Sequence, residues 1–198
     1  MALKRRAETM AENRIKLIGA ARKAFAASGF AAASMDDLTA SVGLTRGALY
    51  HGFGDKKGLL AAVVAQVDGE MAARAHQAGA TGTNPWERLL AEGVAYIELA
   101  LDPEVRRIVL LDGPAFLGDP STWPSQNACL SMTKQAVADL IADGVMRQVD
   151  IEAASRLLSG TAFNAALWVA DSDEPHVVLP KAIEAFRMMA EGFLANRV

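Results

Sequence analysis

The chain has 198 residues, 52% of them hydrophobic and 22% charged, the balance of one large or two small folded domains rather than of a disordered segment. Its 39 alanines against 21 valines and isoleucines lean it towards helix. A single cysteine, Cys129, excludes an internal disulfide and a multi-cysteine metal site, no apolar run approaches the ~20 residues of a membrane span, and the net charge of −3, taken whole, argues against a nucleic-acid partner.

The charge is unevenly divided. Residues 1–60 hold ten Lys and Arg against five Asp and Glu, a net of +5, and residues 61–198 hold ten against eighteen, a net of −8. That split suggests a basic module on an acidic body, although sixty residues also reach +5 by chance. No apolar stretch follows the basic residues at 4–6, so a secretory signal is not expected and a cytoplasmic setting is.

No period of 20–50 residues repeats. Turn-forming residues cluster at 78–85, 112–124 and 171–175, and the segments between them read as helices, about nine in all. Ile15, Ile18, Ala21, Ala24 and Phe25 recur at helical spacing over 13–28, and Gly29 suits the left-handed turn that ends a helix. Ser34 caps a second, short helix with Asp37 in its first turn and Leu38 and Val42 on its inner face, and Gly43 ends it. Thr45 caps a third from Arg46, with Ala48, Leu49 and Phe53 apolar, and Gly54 breaks it. Asp55 caps a longer fourth, whose apolar positions run from Leu59 and Leu60 to Met71. Two short helices across a tight glycine turn form a helix-turn-helix pattern, in which the second helix enters the DNA major groove.

Beyond Pro85, a first helical position, Trp86, Leu89, Leu90, Val94 and Ile97 make an apolar stripe. Asp102 starts the next helix, and Asp112-Gly113-Pro114 is expected to break it. Further helices are expected over about 124–146, 151–170 and 180–195. The helix over 151–170 carries two apolar faces, so it must be covered on more than one side, and the last carries a similar stripe; each suits either the core of one chain or an interface with a second copy.

Catalytic patterns are missing from the sequence. His51, His76 and His176 are far apart, no H-E-x-x-H pair or G-x-S-x-G elbow occurs, and the glycines at 52–54 lack the third of a dinucleotide loop. No metal or cofactor is expected, and no enzyme activity.

Phe25 to Phe30, Ser34 to Leu38, Val42 to Phe53 and Asp55 to Leu60 stand in one order and spacing, and in this the chain resembles the DNA-binding domain of the TetR (tetracycline-repressor-like) family over about residues 12–66. The resemblance implies an all-α fold with a helix-turn-helix domain at 1–54 and a ligand-binding and dimerisation domain at 55–198, joined through a connecting helix at 55–78. It implies a transcriptional regulator, most simply a repressor, with double-stranded operator DNA, a second copy of the chain and a small-molecule effector as partners.

On the DNA side the implied contacts are Ser34, Thr45, Arg46, Gly47, Tyr50, His51 and Lys56. Arg46 opens the third helix, where a guanidinium grips guanine O6 and N7. Gly47 lets backbone approach DNA. Lys56 at a helix N-terminus suits a phosphate. Thr45 is equally explained by its cap, and Tyr50 by a half-buried ring. The family often has His or Tyr where this chain has Gly52, which puts one phosphate contact in doubt. Lys4, Arg5 and Arg6 suit a flexible arm towards DNA or no role at all.

Leu158, Thr161, Ala165, Trp168, Phe186, Ala190 and Phe193 are the expected dimer interface. Trp86, Phe116, Trp123, Met132, Phe163, Asn164 and Trp168 are the expected pocket lining, each also suited to plain core. The competing expectation is an all-helical enzyme or lipid or small-molecule carrier with an incidental helix-turn-helix.

Overall fold

The computed structural model describes residues 2–195, with side chains from residue 7 onward, so the basic side chains of Lys4, Arg5 and Arg6 lie outside it. Among the described residues there is no β-strand, only a single antiparallel bridge between Met146 and Leu194. The α-helices are α1 (Ala2–Ala32), α2 (Met35–Ser41), α3 (Arg46–Phe53), α4 (Lys56–Gly79), α5 (Pro85–Glu98), α6 (Pro103–Val105), α7 (Gly113–Leu117), α8 (Pro124–Ala142), α9 (Ile151–Asp171) and α10 (Pro175–Glu191). Because α6 runs through a π-helical segment, Arg106–Asp112, straight into α7, the α-helices of the described residues form nine rods.

The caps are the expected ones. Ser34 Oγ accepts from the Asp37 N–H, Thr45 Oγ1 from Ala48 and Asp55 Oδ1 from Gly58. Gly43 and Gly54 close α2 and α3 with φ of 68° and 79°, a region that side chains with a Cβ avoid. α1 is longer than expected and buries Leu17, Ala21 and Phe25, while Ile15 is left 72% exposed, because the inward face follows the four-residue step from 17. Gly29, with φ 80° and ψ 163°, leaves the helical conformation as expected, and a short helical turn to Ala32 follows the kink.

Two expectations fail. Asp112-Gly113-Pro114 does not break the chain, because the wide π turn absorbs the strain and Pro114 falls in the first turn of α7, where no N–H partner is needed. Gly113 matters there for room, since a Cβ would stand 2.6 Å from the Trp123 ring. The last helix starts at Pro175 rather than near 180 and carries Pro180 inside it.

One apolar core joins α1–α3 to the rest, through Leu17, Phe25, Phe30, Leu49, Leu60 and Val64. A second cluster, with Val137, Leu140, Met146, Leu158 and Ala190, ties α8 to α9 and α10.

Candidate functional site

α2 and α3 present the first surface. Leu49 is buried and seats α3, while Ser34, Thr45, Arg46, Gly47, Tyr50 and His51 are all exposed along the outside of the pair. Tyr50 is 53% exposed, so it is not a ring wedged between helices. The Arg46 guanidinium is paired with the Asp36 carboxylate of α2, both well exposed. Gly52 has open space where a Cβ would stand. Lys56 departs from its expected role. Its Nζ lies over the Phe30 ring, 4.6 Å from the centroid, and donates to the Ala31 carbonyl at 3.2 Å. In this state it joins α4 to the end of α1 rather than reaching outward.

The second feature is a cavity of about 80 Å³ among α4, α5, α8, α9 and α10. Leu89, Leu90, Leu158, Ala162 and Phe186 make its apolar wall. Tyr96, Gln126, Cys129 and Thr133 make its polar end. Behind that end lies Asp68 of α4, with no exposed surface. Gln126 Nε2 donates to both Asp68 oxygens, at 3.0 and 3.1 Å. Burial raises the Asp68 carboxyl above its ordinary 3.8, and the neighbouring Ser125, Gln126 and Tyr96 offset this in part. Burial also pushes the Cys129 thiol up to about 11, so it is protonated and unreactive at neutral pH.

None of the seven expected pocket residues lines this cavity. Phe163 and Asn164 border a separate outer groove with Gly160 and Leu167. Trp123 is buried edge-on to Phe163, and Phe116 packs on Phe30 at 4.5 Å between centroids. Trp86 packs against the second core cluster, and Met132 and Trp168 are half exposed. The large side chains had other duties, and the inner wall of α9 is instead the small-residue run through Ser159 and Ala162. Asp68 was the missed signal: it is an acid at a position four after Val64 and one after Val67, inside the apolar stripe of α4.

The expected interface residues also divide. Leu158, Phe186 and Ala190 are buried within the chain and are not available to a second copy. Thr161, Ala165 and Phe193 are part-buried, and Trp168 is 52% exposed. The outward stripe of α9 is Leu157, Gly160, Asn164 and Trp168, one helical turn apart each.

Contacts tie the two surfaces together. Arg22 of α1 makes paired hydrogen bonds to Glu70 of α4 and to Glu104 of α6, at 2.7–2.8 Å. This guanidinium holds the Glu70 carboxyl below its usual range. Asp112 and Arg107 of the π segment hold the kink at 28–30.

The amino-terminal segment, residues 17–63, matches the model of bacterial regulatory proteins of the tetR family, and residues 86–193 match that of the tetracyclin repressor-like C-terminal domain. The chain belongs to the TetR family. A TetR-family transcriptional regulator from Pectobacterium atrosepticum shares 42% identity, with 96% of this chain and 98% of that one covered and a TM-score of 0.87. More distant structures share the fold: RolR in complex with resorcinol (16% identity, 94% and 93% covered, TM-score 0.70) and the fatty acid degradation regulator FadR from Bacillus halodurans (18%, 88% and 94%, 0.63). Comparison with curated proteins gives no match. The TetR-type chain is thus a DNA-binding transcriptional regulator, and its helix-turn-helix is not incidental. Among the described residues no helix is long and apolar enough to cross a membrane.

Proposed function

We propose that this TetR-family chain is a cytoplasmic repressor without catalytic activity, which binds operator DNA as a two-fold dimer through Ser34, Thr45, Arg46, Gly47, Tyr50 and His51, and is released when a small molecule enters the inner cavity. Residues 1–54 act as the reader and 55–198 as the effector and dimerisation domain. The observation that carries it is the placement of α4. Its first residue, Lys56, holds the end of the reading domain, and its later turns supply Ala72 and Ala75 to the cavity wall. One rigid rod therefore touches both sites. A ligand that prefers another setting of α4 shifts the population away from the DNA-binding spacing, by no more than its differential affinity for the two states. A relative of the same fold is known as a complex with resorcinol, which supports a small-molecule effector of some kind.

The dimer places two α3 helices on half-sites related by two-fold symmetry. Its face is the outward stripe Leu157, Gly160, Asn164 and Trp168 of α9, beside Val177 and Met188 of α10. Lys56 joins the phosphate contacts by exchanging the Ala31 carbonyl for DNA.

The test is a titration of the protein with duplex flanking its own gene, against random duplex, at several salt concentrations. Specific binding with a steep salt slope is expected. Arg46→Ala relaxes preference at one base pair at a cost of about 1–3 kcal/mol, whereas Lys56→Ala weakens all sequences alike. Equal affinity for random duplex overturns the proposal.

A further inference from the structure

The hydrogen-bond accounting at the polar end of the cavity is one-sided. Gln126 Nε2 serves both Asp68 oxygens and lies 3.1 Å from Tyr96 Oη. The amide cannot be turned over, because its carbonyl would then face the carboxylate. Its Nε2 is therefore engaged, and Oε1 is the amide group left for an occupant. Tyr96 directs its proton to Asp68 Oδ1 at 3.5 Å, and burial keeps that phenol protonated. Thr133 donates to the Cys129 carbonyl, and Ser159 donates to Thr133. The lining hydroxyls and the Gln126 amide thus each have an internal acceptor, the Cys129 thiol is only a weak donor, and what remains is mainly acceptor capacity.

Charge points the same way. Glu92 lines the cavity and Asp68 lies behind it, while no Lys, Arg or His is among the lining residues. The neighbouring base, His76, is outside and exposed, at 3.0 Å from Glu92. An anion entering would meet the Glu92 carboxylate, with Asp68 behind, and no strong donor, and would lose its hydration without adequate replacement. The volume, about 80 Å³, is below the roughly 150 Å³ of an apolar cavity that takes benzene. A single ring therefore already asks the walls to move, α4 included.

We propose that the cavity takes a small uncharged single-ring compound that donates hydrogen bonds, of the phenol class, and rejects carboxylates of the same size. The assignment rests on this cavity being the effector site.

The experiment compares three probes of one ring size by calorimetry on the full chain at neutral pH: phenol, its methyl ether anisole, which has no donor, and benzoate, which is anionic. Phenol is expected to bind at least about tenfold more tightly than either, the worth of one hydrogen bond to an otherwise unserved acceptor. Asp68→Asn removes the charge that fixes the Gln126 amide, so the preference for phenol over benzoate narrows several-fold. Equal binding of anisole or benzoate overturns the proposal, as does saturable binding of none of the three. Operator affinity measured in parallel separates the two claims. Selective phenol binding that leaves operator affinity unchanged keeps the ligand class and ends the effector role. Release of the operator by benzoate bound in the cavity does the reverse.

Discussion

The Asp112 carboxylate accepts the backbone N–H of Phe30 at 2.7 Å, across 82 residues of chain, and so fastens the kink of α1 to the effector domain. Arg107 completes the clamp, facing Asp112 at 3.5 Å and donating to the Ser28 carbonyl. In an α-helix, residues five apart stand about 140° apart around the axis, and the pair would diverge. The π segment brings i and i+5 into register, so both face residues 28–30. Gly29 is required beneath them by its backbone, φ 80° and ψ 163°, a region that side chains with a Cβ avoid.

Asp112→Ala is therefore expected to leave a buried N–H unserved and cost about 1–3 kcal/mol of stability in urea unfolding. It also uncouples the domains: operator binding persists, but the ratio of affinities with and without effector falls towards one. Asp112→Asn, which still offers an oxygen to Phe30, restores stability but not the Arg107 ion pair. An unchanged induction ratio in Asp112→Ala counts against the clamp.

Much of this was legible in the sequence where local rules govern. Ser34, Thr45 and Asp55 announce their caps, and Gly43 and Gly54 their turns, because those devices act within four residues. The cavity was not legible. Large apolar residues such as Trp123 and Phe163 look alike as core or as lining, and only the packing of five helices leaves Tyr96 and Gln126 facing a void. The π turn was hidden too, because Gly113-Pro114 reads as a break unless the preceding wide turn is known.

The Arg46–Asp36 pair bears on DNA affinity. Both groups are exposed, so the pair adds little to stability, at most about 1 kcal/mol, and opens cheaply when Arg46 turns to a base. Asp36 meanwhile places a negative charge on the reading face. Asp36→Ala is expected to tighten binding to random duplex several-fold and steepen the salt slope, while specificity at the Arg46 base pair drops for want of a group orienting the guanidinium. Titration against operator and random duplex reads both, and tighter binding with specificity intact would show that Asp36 does not position Arg46.

Gly52 lies in α3 with open space at its Cβ. Gly52→Ala is expected to stabilise the chain by roughly 0.5–1 kcal/mol through helix propensity alone. Gly52→His adds a donor towards the phosphates and is expected to bind operator more tightly than Gly52→Ala at the same salt. Equal affinity of the two variants would leave propensity as the whole effect.

Trp168 is 52% exposed and Leu157 58%, both on the outward stripe of α9. Trp168→Glu alters a half-exposed side chain and places a charge on the proposed two-fold face. Sedimentation is expected to show monomer at micromolar concentration, with unaltered helix content and operator affinity lowered at least about tenfold through loss of the second half-site. A stable dimer of Trp168→Glu would move the interface elsewhere.

Asp68 sets a pH dependence of stability. Its folded carboxyl is raised above 3.8 by burial, so just above that pH the folded chain keeps a proton that the unfolded chain has released. Folding is then favoured on the acid side, and the contribution of this residue declines as pH rises from 3.8 through the folded value, levelling off beyond it. Asparagine keeps an oxygen for the Gln126 amide and carries no charge to desolvate. Urea unfolding between pH 4 and pH 7 is thus expected to show Asp68→Asn gaining on the native chain as pH increases, with its greatest relative stability at neutral pH. A constant difference across that range would mean that the Asp68 carboxyl titrates alike in the folded and unfolded chains, and that its buried charge is fully compensated by Gln126 and Tyr96.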